Sequence, residues 1–201
     1  MPKRLGKDGL PILAFACLAD WEQWLSTQPK EAKGLWLELA KKMSGIASVS
    51  RQEAIDGALC HGWIDGQLQK SDDLHWLIRF TPRSAKSKWS EINKTRAQEL
   101  NDCGRMTEAG LAQVERAKQD GRWESAYEPQ STAVVPADLE AALNKSRKAK
   151  TMFQKLDSTN RYAILHRIHG VKLAETRALK IDKYVAMLER GETIHPQKLK
   201  K

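Results

Sequence analysis

The stretch GWIDGQLQKSDDLHWLIRFTP, residues 62–82, decides how this chain is read. Two runs rich in Trp, Ile, Leu and Phe flank Ser71, Asp72 and Asp73, which are turn formers. Apolar runs of strand length around a polar turn predict a β-hairpin. Pro82 closes the second run, because proline has no N–H to give to a ladder. In that run Leu74, Trp76, Ile78 and Phe80 share one face, and His75, Leu77, Arg79 and Thr81 share the other.

Upstream, GLWLELAKK (residues 34–42) alternates Leu35, Leu37 and Leu39 with Trp36 and Glu38, so it reads as a further strand. SVSRQEAIDGALCHG (residues 48–62) opens with Ser50 and Glu53 in capping-box spacing and ends at Gly62, so it reads as a helix. ADWEQWLSTQP (residues 19–29) is a short helix stopped before Pro29. Downstream of the hairpin the period turns helical. SKWSEINKTRAQELNDCG (residues 87–104) starts near Lys88, with Ser87 placed to cap it. TEAGLAQVERAKQDG (residues 107–121) has Thr107 as N-cap, Leu111 and Val114 inward, and Gly121 as stop.

Residues 129–136 lie in an uncapped, proline-flanked stretch and read as a linker. Beyond it all is helical, and the last helix carries an apolar stripe of Val171, Ala174, Ala178, Ile181, Val185 and Leu188. The expected fold is α+β. A small antiparallel sheet with a β-hairpin is covered by helices in residues 1–128, and a basic C-terminal helical bundle occupies residues 137–201. Residues 137–201 hold 15 Lys/Arg against 7 Asp/Glu, a net of +8 out of +9 for the chain. That excess allows weak, salt-dependent contact with nucleic acid. No recognised nucleic-acid-reading motif accompanies it.

No apolar run approaches the roughly 18 residues that a membrane-spanning helix needs. Residues 10–19 are too interrupted, by Pro11 and Cys17, for a signal peptide and read as an early buried segment. The expected location is cytoplasmic. Three cysteines, Cys17, Cys60 and Cys103, stand far apart and read as buried, reduced residues. No zinc spacing, nucleotide loop or nucleophile elbow is present, so neither a metal nor a cofactor is expected.

What packing does not explain is the polar population around the hairpin. From residue 79 to residue 96 there are six basic residues and one acid, Glu91. Arg83, Lys86, Ser87 and Lys88 fall between a strand end and a helix start, where free N–H groups favour an anion. Asp65 sits within a strand and needs a partner, for which Arg79 or Arg83 is placed across the hairpin. The candidate ligand-binding residues are therefore Trp63, Asp65, Arg83, Ser87, Trp89 and Asn93, for a small anion such as phosphate or a carboxylate. An enzyme using Asp65 and Arg83, and a nucleic-acid-associated protein using the basic helices, are the alternatives. Structural roles stand beside these: Ser87 as a cap, the tryptophans as core, and His61 as a hydrogen-bonded structural histidine.

Three blocks, EAIDGALCHGWIDGQ, FTPRSAKSKWSEIN and GRMTEAGLAQVERAKQDGRW, together resemble the bacterial YdeI/OmpD-associated family, often labelled bacteriocin-protection proteins. The segment AETRALKIDKYVAML resembles that family's C-terminal domain. The motif matches at Gly62, Trp63, Ile64, Asp65 and Gly66, and at Pro82, Arg83, Ser87, Trp89, Ser90 and Asn93. The resemblance implies tolerance of bacteriocins or cationic antimicrobial peptides and association with a porin. It implies no reaction, cofactor or catalytic residue.

Overall fold

A computed structural model describes residues 4–171 and 173–197. The chain falls into two compact units, Met1–Ala126 and Tyr127–Lys201.

The first unit is built on four strands: β1 (Ile12–Ala14), β2 (Leu35–Ala40), β3 (Trp63–Lys70) and β4 (His75–Pro82). Their order is β1-β2-β4-β3. The hairpin β3–β4 and the pair β2–β4 are antiparallel, but β1 runs parallel to β2, so the sheet is mixed rather than purely antiparallel. The helices are α1 (Leu18–Ser26), α2 (Arg51–Cys60), α3 (Glu91–Asp102) and α4 (Glu108–Gln119). α1 and α2 contribute Trp21, Leu25, Ala54 and Ala58 to a core against Leu35, Leu37, Ile78 and Phe80 of the sheet. Alternation explains that face. The opposite face is not left to water: Trp36 and Leu77 are buried with Leu10 of the N-terminal segment. Asp8 accepts a 2.9 Å hydrogen bond from the Trp36 indole. The expected early segment is thus a short edge strand with a cover.

Local signals give several boundaries. Ser50 and Glu53 form the capping box of α2, and Thr107 caps α4. α3 begins later than its periodicity suggests. Residues 84–87 close a turn of their own, with Ser84 N–H donating to Ser87 Oγ at 3.0 Å and Ser87 N–H to Ser84 O at 3.0 Å. The cap of α3 is therefore Ser90, which accepts from Asn93 N–H. Leu111, expected inward, is exposed. Only Cys60 is a buried cysteine; Cys17 and Cys103 are exposed, and all three are free.

The second unit is helical among its described residues: α5 (Ala137–Asn144), α6 (Arg147–Lys155), α7 (Ser158–His169) and α8 (Ala174–Glu189). Leu139, Phe153, Ile164, Ile168, Ile181 and Leu188 build its core. The stripe on α8 is used only in part. Ile181, Tyr184 and Leu188 are buried, whereas Ala174 and Ala178 are exposed. In place of packing, the start of α8 is tied down by Arg177, which holds Asp138 with two guanidinium nitrogens and donates to Ile168 O at 2.8 Å. Ala133 and Val135, in the expected linker, pack against this unit's core.

Candidate functional site

Three chain segments meet where α2 passes into β3. Gly62 takes φ +75°, a left-handed turn that glycine adopts at least cost, and delivers the chain from α2 into Trp63. Arg83 N–H donates to Gly62 O at 2.9 Å, which pins the exit of β4 to the entry of β3. Thr107 donates to Cys60 O through both its backbone N–H (3.1 Å) and its hydroxyl (2.6 Å), which seats α4 on the same point. The backbones are nearly in contact there: a Cβ on Gly110 would stand 2.3 Å from Cys60 O.

Beside this junction lies a cleft of about 920 Å³. Leu25, Pro29, Trp63, Pro82, Ala109 and Ala112 give it apolar walls. Lys30, Arg83 and Arg116 bring positive charge to it, with Glu108, His61 and Gln113 also in the lining. Arg83 is the buried member, 5% exposed. Its guanidinium carbon stands 3.7 Å from the centre of the Trp89 ring, and Nη1 donates to Lys88 O at 3.3 Å. Trp89 is itself fixed edge-to-face on Trp123, with 4.8 Å between ring centres. Arg122 reaches the same loop, donating to Ser87 O at 2.7 Å. A desolvated guanidinium over an indole face is a strong form of cation–π contact, and it fixes the plane of the fork.

Of the residues proposed from the sequence, Trp63 and Arg83 line the cleft, and Trp89 stands behind Arg83 as its platform. Ser87, Asn93 and Asp65 are not in the lining. Ser87 holds the 84–87 turn, and Asn93 gives its backbone N–H to the Ser90 cap. Asp65 pairs in register with Phe80, so it projects to the helix-covered side of the sheet. Arg79, one residue away, lies on the opposite face, where Asp8 takes it at 3.3 Å. The expected ion pair between Asp65 and Arg79 or Arg83 is absent from the described residues. Strand alternation excludes Arg79, and Arg83 is turned onto Trp89.

Lys30, Gln113 and Arg116 escaped the sequence reading. A signal was present: Ala109, Ala112, Gln113 and Arg116 recur at three and four, so they form one face of α4. That face is short of large apolar residues, because it borders a cleft rather than a core.

The chemistry of neighbouring groups is quiet. Burial pushes the Cys60 thiol up to about 11, so it stays protonated and is no nucleophile at neutral pH. His61 Nδ1 donates to Gly57 O at 3.0 Å, the hydrogen bond of a structural histidine. At the far end of the hairpin, Glu38, Asp72 and His75 bring ligand atoms within 4.8 Å of one another, a group that metal-ligand spacing in the sequence did not suggest. Those atoms already lock the turn. Glu38 accepts from Arg4 and Ser71, and Asp72 accepts from the backbone of Leu74 and His75 and from the His75 ring.

Comparison with known families divides the chain much as its two units do. Residues 13–113, which hold the sheet and the cleft's floor, match the family described as a domain of unknown function (DUF8412). Residues 132–191, in the helical unit, match the family described as Bacteriocin-protection, YdeI or OmpD-Associated. The chain belongs to the DUF8412 family and carries a YdeI/OmpD-associated domain. The N-terminal blocks that resembled the latter family thus fall within the former. No curated protein and no solved structure matches the chain. Among the described residues no helix is long and apolar enough to cross a membrane.

Proposed function

We propose that the DUF8412 unit binds a small anionic molecule in the cleft at the α2–β3–α4 junction, and that the protein serves tolerance of bacteriocins or antimicrobial peptides from the cytoplasm. One observation carries the binding role: Arg83, almost wholly out of solvent, is held on the Trp89 face at the wall of a cleft that also receives Lys30 and Arg116. A buried guanidinium in a fixed plane suits a carboxylate or phosphate oxygen pair. Trp63 and Arg83 touch the ligand, and Trp89 positions Arg83. The tolerance role is supported by the description of the family matched at residues 132–191.

Thermal melts of the full chain and of Arg83→Gln, each with phosphate and with small carboxylates, test the binding role. A ligand at a hundred times its Kd stabilises by about 2.7 kcal/mol, an easily read rise in Tm. A rise in the wild type that is lost in Arg83→Gln is the expected result. No rise with any anion removes the proposal. Survival of cells with and without the gene under bacteriocin challenge, and fractionation of those cells, test the remainder.

The charge of residues 137–201, +8 net, favours a second reading, association with nucleic acid. Duplex titration at rising salt separates the two. Binding that persists at physiological salt, with a slope reporting several phosphates, would favour this second reading.

A further inference from the structure

The geometry points to a second anionic subsite at the far end of the same cleft, and we infer that the ligand is an elongated dianion with an apolar middle. This rests on the cleft being an anion site. Arg83 marks one end, because it is joined through Gly62 to the level of Ala109: a Cβ on Gly62 would stand 2.8 Å from Ala109 O. Arg116 lines the cleft seven residues further along α4, roughly 10 Å at 1.5 Å per residue. Between them stand Ala109 and Ala112, with Trp63 and Leu25 among the remaining walls. An all-polar ligand would waste these walls, and a fatty chain with one charge would leave Arg116 without use.

Arg116 is notable against its background. Arg4, Arg79, Arg96, Arg105 and Arg122 of the same unit are each held by a carboxylate. Arg116 and Lys30 enter no ion pair among the described residues, and both line the cleft. Glu108, the acid of the lining, also lies on α4 but in its first turn, at the Arg83 end, so it does not neutralise the Arg116 end. The layout is two cationic ends and an apolar waist, which complements two carboxylate or phosphate groups on an apolar spacer.

Calorimetric titration of the full chain with adipate, suberate and sebacate, and with hexanoate, octanoate and decanoate, reads both ends. One dicarboxylate of matching length should bind about tenfold tighter than the monocarboxylate of equal chain length, the worth of one added charge-assisted contact. Arg116→Gln should erase that preference and leave monocarboxylate binding as it was; Arg83→Gln should weaken both series. Equal affinity for the two series, or a preference that survives Arg116→Gln, overturns the second subsite. If monocarboxylates still bind through Arg83 in that case, the anion site itself stands. Binding of neither series removes the subsite together with the reading on which it rests.

Discussion

Asp56 and Arg83 are the two charged side chains that the first unit draws furthest from solvent, at 4% and 5% exposed, and their surroundings differ in kind. Asp56, on α2, is enclosed by hydrogen-bond donors. Arg96 of α3 grips it with Nε at 2.9 Å and Nη2 at 2.6 Å, and Gln52 donates to it at 2.9 Å. Arg83 is set on an indole face and a backbone carbonyl at the wall of a cleft. A carboxylate saturated by a fork is finished chemistry: it joins α2 to α3. A guanidinium stacked on a ring uses its face and radiates its N–H groups in the plane of the fork. Counter-charge inside the fold marks a structural ion; a buried cation on an aromatic platform at an open cleft marks a binding one.

The largest effect falls on the structural side. Asp56→Ala strands the Arg96 fork and the Gln52 amide, and it should cost about 3 kcal/mol in a denaturant melt. That is the low end for a broken buried pair, because the Arg96 side chain is one-third exposed and can recover water. A variant as stable as the wild type would break the distinction between the two sites.

The same pair responds to acid. Burial raises the Asp56 pKa, but hydrogen bonds from Arg96 and Gln52 and the Arg96 charge outweigh it and hold the carboxyl below its ordinary value of 3.8. A group depressed in the folded state stabilises above its unfolded pKa and loses that stabilisation as pH falls through its folded pKa. The gap between wild type and Asp56→Asn should therefore be constant above about pH 5 and close as the pH drops below about 4. Melts from pH 7 to pH 2.5 would show it. A gap that widens in acid would mean that Asp56 is not held ionised by Arg96.

Arg83→Ala comes next, at about 1–2 kcal/mol, for the lost cation–π contact and the packing of its stem. Its signature is in the ligand arm rather than in the size of the loss. Asp56→Ala should keep the rise in Tm given by an anion, and Arg83→Ala should abolish it. If both variants keep that rise, Arg83 is a structural ion like Asp56 and the cleft is not its workplace.

Which parts of this were legible follows from range. The hairpin, the Ser50–Glu53 box and the Thr107 cap are written within a few residues, so composition and spacing suffice for them. The parallel β1 was illegible, because three residues of weak alternation carry no mark of their partner. The Arg79–Asp8 pair joins residues far apart in the chain, and nothing near Arg79 announces Asp8. Trp63 and Arg83 were legible because a tryptophan after a turn glycine and an arginine after a strand-ending proline are both held in defined directions. Their neighbours Asp65 and Ser87 were misread for one reason: adjacency in sequence was taken for convergence. Alternation sends Asp65 to the covered side of the sheet, and the 84–87 turn takes Ser87 away from the helix start.

The smallest expected effect tests that last point. Two serines compete for the same role in the loop that carries Arg83 and Trp89. Ser90 is buried and accepts the Asn93 N–H at 3.1 Å, so Ser90→Ala removes a true N-cap and should cost about 1 kcal/mol. Ser87 accepts the Ser84 N–H in a turn that water can reach, so Ser87→Ala should cost about 0.5 kcal/mol or less. The two losses bear on the comparison of buried charges because this loop aims the Trp89 platform. If the platform is set by the α3 cap, Ser90→Ala should weaken the anion-induced rise in Tm along with stability, and Ser87→Ala should leave it in place. The reverse order, with Ser87→Ala the more costly for both stability and the anion response, would return Ser87 to the site and place the start of α3 where its periodicity alone would put it.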